Sequence, residues 1–209
     1  MTSLLRLIRR RQAPPREHAA RLEQPFERPL RVEIDEVVLA AELLRPQRPQ
    51  GLVICADGDG LSRISLRNRK LTAVLSQARF ATLLADLRTE EEQRRHAVEP
   101  DFASLASRLE AITRWAADEP DVGGLSIGYF AAAASATVAL EAAAVADVAV
   151  HAVVSLDGHP DLAADLFGRV SAATLLLVGS RDRDAVERSR RAARRLRGAH
   201  CVTVVDGRR

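Results

Sequence analysis

Aromatic residues make up only 3% of the 209 residues: one Trp, one Tyr and five Phe. A core must therefore be built from Ala, Val, Leu and Ile, and the interleaved aromatic and basic residues of a nucleic-acid surface are absent. Cysteine is scarce too. Cys55 and Cys201 each stand inside an apolar run, which suits reduced, buried thiols rather than a disulfide framework. Lys70 is the single lysine, so the basic charge is almost wholly arginine, and a formal net charge of +3 is modest for this length. That balance predicts no nucleic-acid partner. No apolar run reaches the roughly 18 residues of a membrane-spanning helix, so no integral membrane segment is expected. The opening MTSLLRLIRRRQ places its charges after a short apolar patch, the reverse of a secretory signal, and the expected compartment is the cytoplasm.

What is present is 47% apolar residues, enough for one domain with a large core. Residues 1–28 are rich in Arg, Gln, Glu and Pro and read as a mobile basic arm, leaving 29–209 as the folded domain. Within 31–35 and 38–44 the alternation of apolar and polar residues predicts two short antiparallel strands. From there strands alternate with helices. GLVICA (51–56), 81–87, 125–130, 151–156, 173–178 and 200–205 read as strands; 67–79, 101–117, the alanine-rich stretch after 131, 161–167 and 184–196 read as helices. Such alternation means a mostly parallel sheet covered on both faces, a three-layer α/β/α domain. Ligands of such sheets bind where the strands end at their carboxyl side.

The stretch LSIGYFAAAASATVAL (125–140) is a strand, a tight turn of small residues and a helix, the setting of a nucleophile elbow. Two registers compete. The literal G-x-S-x-G match is Gly124-Leu125-Ser126-Ile127-Gly128, which names Ser126; but turn chemistry, DEPDVGG, precedes it and strand residues follow it. The junction with a strand before and a helix after is Ala131 to Ser135, whose central position is Ala133.

GLVICADGDGLSRISLRNR, ATLLADL, LSIGYFAAAASATVAL, VVSLDGHPDLA and TLLLVGSRD occur in this order. With them the chain resembles the dienelactone hydrolase-like branch of the α/β-hydrolase superfamily over about residues 30–207. The resemblance implies an α/β-hydrolase-like, C-terminally shortened fold. It aligns Gly128-Tyr129-Phe130 with the elbow's G-Y-F, so the nucleophile position is Ala133 and the flanking glycines become Ala131 and Ser135. The oxyanion loop maps to Asp57-Gly58-Asp59-Gly60, with Asp57 in place of histidine, and carboxylates there repel an oxyanion. The acid position is kept as Asp182 in Gly179-Ser180-Arg181-Asp182. The histidine that follows the eighth strand in this branch has no counterpart before Arg209, and His200 precedes that strand.

The expected function is therefore that of a catalytically inactive hydrolase fold with a binding or regulatory role, and no cofactor. Its crevice would comprise Asp57, Gly58, Asp59, Gly60, Ala133, Asp157, His159 and Asp182, with a small-molecule ligand as partner. One alternative is a weak ester or lactone hydrolase using Ser126 with His159 as base. Another is a module binding a small ligand or a divalent ion through the aspartates at the strand ends; Asp caps turns so often that no metal ligand set is assigned. The Cys201–Val205 strand carries no charge, and either a homodimer through that edge or poor solubility is expected, unless the arm of residues 1–28 folds back over it.

Overall fold

Phe26–Ile34 and Val37–Arg45 alternate between inward and outward residues, so each forms a strand, β1 and β2, paired antiparallel in register from Phe26 with Arg45 to Ile34 with Val37. In the computed structural model, which describes residues 25–57, 66–95, 101–158 and 166–206, this hairpin is one margin of an eight-stranded sheet. β1 begins at Phe26, so the folded part takes in residues assigned by sequence to the arm. Arg28 accounts for that start: its guanidinium bridges Glu119 at 2.6 Å and Asp121 at 2.9 Å, tying the strand to the far end of a helix. Arg45, the last residue of β2, lies over the Phe26 ring.

The other strands are β3 (Leu52–Asp57), β4 (Ala81–Asp86), β5 (Ile127–Ala132), β6 (Val150–Leu156), β7 (Ala173–Gly179) and β8 (His200–Val205). Their order is β1-β2-β4-β3-β5-β6-β7-β8, parallel from β4 onward. Every residue of β4 is buried, which is why ATLLAD reads as a continuous apolar run and not as an alternation. The helices are α1 (Leu66–Gln77), α2 (Glu90–Arg95), α3 (Phe102–Asp118), α4 (Ala134–Val145) and α5 (Arg183–Ala193). None is long and apolar enough to cross a membrane, among the described residues. Asp101 starts α3 by accepting a hydrogen bond from the Ser104 amide at 2.7 Å.

Sequence reasoning missed α2, because EEEQRR has no apolar face. Its support is electrostatic and local. Thr89 and Glu92 form a reciprocal capping box, and Glu92 takes two bonds from Arg108 of α3 at 2.8 and 2.7 Å. The Arg108 hydrogen bonds bring the Glu92 carboxyl down to about 2.

One polar pair is set into the core between β5 and α3. Thr113 Oγ1 donates to the Leu109 carbonyl at 2.7 Å and so accepts from the Tyr129 hydroxyl, also at 2.7 Å. Burial pushes the Tyr129 phenol above its ordinary value. The unfolded chain ionises a phenol near pH 10, roughly the value of a free tyrosine, whereas the folded chain keeps it protonated. This contribution is thus complete below that pH and is lost as pH rises from there toward the folded value. Urea melts between pH 8 and pH 11 (roughly the span that brackets tyrosine ionisation) should show a fall in stability that Tyr129→Phe removes; an unchanged slope in the variant refutes the assignment.

Candidate functional site

The chain leaves β5 at Ala132 and enters α4 at Ala134 with only Ala133 between them. Ala133 has φ 51° and ψ −129°, a conformation that an L-residue adopts at a cost of roughly 1–3 kcal/mol. Its amide donates to the Leu156 carbonyl at the end of β6 at 2.9 Å, and its side chain is exposed. A strained residue at the tip of a strand, opening a helix at once, is the backbone of a nucleophile elbow. The side chain standing there is a methyl group. No side chain caps α4 from this position. The strand ends two residues later than the sequence suggested, at Ala132 instead of Phe130, so the turn is a single residue.

Close beside the elbow is the end of β6. Asp157, at φ 48°, accepts a hydrogen bond from the Gly179 amide on its Oδ1 at 2.7 Å, fastening the β6 loop to the end of β7. Gly158 is buried beneath the turn. A Cβ added there would stand 2.6 Å from Ala136 Cβ and 2.6 Å from Ser155 Oγ. A glycine is thus required for the loop to lie against α4.

Asp182 is on the loop between β7 and α5, where its Oδ1 accepts from the Ala185 amide at 2.8 Å and caps the helix. Its other oxygen is 3.8 Å from Arg188. The Asp182 carboxylate, expected from the resemblance at the acid position, therefore has a structural use as a helix cap. Asp57 ends β3, next to β5 and opposite Asp86 of β4. The ends carrying Asp57, Ala133, Asp157 and Asp182 thus belong to neighbouring strands, β3, β5, β6 and β7, spanning three strand spacings or about 14 Å. Gly58, Asp59, Gly60 and His159 lie outside the described residues, as does most of the expected helix 161–167.

Ser126 is elsewhere. It precedes β5, and its carbonyl accepts from the Leu52 amide at the start of β3, so it belongs to the amino-terminal edge of the sheet. The six residues of β5 separate it from the elbow by about 20 Å. His200 opens β8 at that same edge and contacts the Gly198 carbonyl through Nδ1 at 3.1 Å. Among the described residues no three His, Cys, Asp or Glu side chains are gathered to hold a metal ion.

An open groove of about 480 Å³ lies between the β1–β2 turn and α2, lined by Arg31, Glu36, Val38, Thr89, Glu90 and Arg94. It escaped sequence reasoning because α2 did. β4, which leads into α2, is two strand spacings or about 10 Å from β5, so the groove is lateral to the elbow.

Comparison with known proteins places this geometry. No protein-family model matches the chain. Two curated proteins of Mycobacterium tuberculosis, strains H37Rv and CDC 1551, named "Putative phosphoribosyl transferase", are each 46% identical over 194 residues, 90% of this chain but 44% of theirs. The chain thus spans less than half the length of these relatives. Among solved structures, a dienelactone hydrolase from Anabaena variabilis is 39% identical over 88% of this chain and 87% of its own, with a TM-score of 0.82. The dienelactone hydrolase-like promiscuous phosphotriesterase P91 from metagenomic libraries shares the fold at 19% identity, covering 88% of this chain and 82% of its own, with a TM-score of 0.64. With the strand order, the elbow backbone and an identity of this size over nearly the whole domain, the chain belongs to the dienelactone hydrolase family of α/β-hydrolase folds.

Proposed function

We propose that this domain is a dienelactone hydrolase fold without covalent ester chemistry, serving as a binding or regulatory unit that takes a small ligand at the carboxyl ends of β3, β5, β6 and β7. The observation that carries this reading is Ala133: the elbow backbone is built, strain included, and the atom that would attack a carbonyl is missing. Asp182 supports it, being spent on the α5 cap. Ser126 is about 20 Å from the crevice and offers no substitute. The two free cysteines, one of them exposed, fit a reducing cytoplasm. Incubation with p-nitrophenyl acetate and with a fluorophosphonate probe should give neither turnover above buffer nor covalent labelling. Labelling that disappears in Ser126→Ala would sink the proposal and establish an unconventional hydrolase.

The mycobacterial relatives favour a second reading, in which the domain is one part of a phosphoribosyl-transferring protein. Since the match covers less than half of those proteins, we assign the transfer chemistry to the part of them that this chain does not resemble. Pyrophosphate release from 5-phosphoribosyl 1-diphosphate, with purine and pyrimidine bases as acceptors, should stay at background with this chain alone. Release above background assigns the transfer to this domain.

A further inference from the structure

β8 is the margin of the sheet opposite the hairpin, and among the described residues nothing pairs with its outer side. The hydrogen bonds from the Thr174 amide to the Ala199 carbonyl and from the Ser180 amide to the Val205 carbonyl fix which groups face β7. In a parallel ladder the odd-numbered residues of β8 therefore bond inward, and His200, Val202 and Val204 aim their amides and carbonyls outward.

The two faces at this margin differ. On one, α5 packs across β7 and β8. Stepping about 100° per residue from the buried Ser189 puts Arg183, Arg190 and the cap residue Arg194 on one flank, with Glu187 the nearest carboxylate along the helix. A right-handed β7–α5–β8 crossover turns that flank toward the free edge, and all three arginines are exposed. On the other face Val154, Leu156, Leu175 and Leu177 are only half-buried, and Cys201, Thr203 and Val205 are exposed. Val204 and Val205 are 40% and 43% accessible.

A second copy of the chain is one occupant that the sequence suggests for this edge. Antiparallel β8–β8 pairing about a two-fold axis would set the two α5 helices roughly 10 Å apart, half a strand spacing in from each side of the new pair. Their arginine flanks would then face each other, and like charges at that distance oppose the contact. An acidic occupant gains from the same flank.

We infer that the β8 edge is a docking site for an extended segment of an acidic protein partner, added as a ninth strand. Its backbone would bond to the outward groups of Val202 and Val204, its carboxylates would point to the α5 side, and its alternate apolar side chains would extend the Leu177–Thr203–Val205 face. Alternation of acidic and apolar residues is the recognition rule that the period of a strand imposes.

A fluorescein-labelled peptide of alternating Glu and Val, and its counterpart with Lys for Glu, serve as probes in anisotropy titrations with the full chain. The Glu peptide should saturate with a Kd below about 1 mM and weaken as salt rises. Arg190→Glu/Arg194→Glu should weaken it roughly tenfold or more through loss of the charge match. Val204→Pro, which removes one outward amide and leaves the bonds to β7, should abolish it without changing the thermal melt; Val204→Thr, which keeps the amide, should bind normally. Three results overturn the inference: equal affinity for both peptides or none for either, binding that survives Val204→Pro, or displacement of the Glu peptide by single-stranded DNA. Sedimentation of the chain alone is the remaining arm. A dimer that Val204→Pro dissociates would give the edge to a second copy instead.

Discussion

Gly158→Ala should destabilise the domain by about 2–3 kcal/mol, and adding Ala136→Gly to it should deepen the loss hardly at all, because the second change removes the clash that the first creates. The new methyl would fall 2.6 Å from Ala136 Cβ and from Ser155 Oγ, a full ångström inside contact. Ser155 Oγ swings away by rotation about χ1, but Ala136 is a fully buried residue of α4 and has no rotamer to change. Overpacking against such a wall costs on the order of 1–3 kcal/mol, and relief here means moving α4, which carries the elbow. Ala136→Gly alone should cost about 2 kcal/mol, from helix propensity and one buried methyl. If the sites were independent the double variant would lose about 4–5 kcal/mol; with a shared clash it should lose about 2. Urea denaturation of the four proteins measures this, and strict additivity would place the cost of Gly158→Ala in the loop backbone.

Most of the sheet was legible because its strands are buried on both faces and therefore write themselves as apolar runs: GLVICA, ATLLAD and TLLLV each fall within a residue or two of β3, β4 and β7. Two parts were not. The start of β1 was hidden since Glu27, Arg28 and Pro29 look like linker, and what holds them as strand is long-range: the pairing with β2 and the Arg28 bridges to Glu119 and Asp121, ninety residues away. α2 was hidden because its stability comes from a capping box and the Arg108 pair, neither of which has a hydrophobic period. At the site, the register of the elbow was legible from Gly128-Tyr129-Phe130, while its backbone strain was not: a run of four alanines gives no sign of which one must take positive φ. Likewise nothing in Gly179-Ser180-Arg181-Asp182 announces that Asp182 caps α5, which becomes visible only with the Ala185 amide on its oxygen.

Ala133→Gly should make the protein more stable, by about 1 kcal/mol or roughly 3 °C in Tm. At φ 51° and ψ −129° an alanine pays on the order of 1–3 kcal/mol that glycine does not, against about 0.5–1 kcal/mol for the greater freedom glycine loses on folding. The side chain is exposed, so no packed methyl is given up. Ala133→Val should move stability the other way, since a β-branched residue tolerates this conformation least. The pair tests strain directly because the two changes have opposite signs at a position with little packing to confuse them. In an elbow that works, strain holds a nucleophile above the sheet and is part of the chemistry. In this chain it holds a methyl group, so relieving it should raise stability, and under the proposed function it should leave p-nitrophenyl acetate turnover at the buffer level. A neutral or destabilised Ala133→Gly would mean that the elbow is not strained.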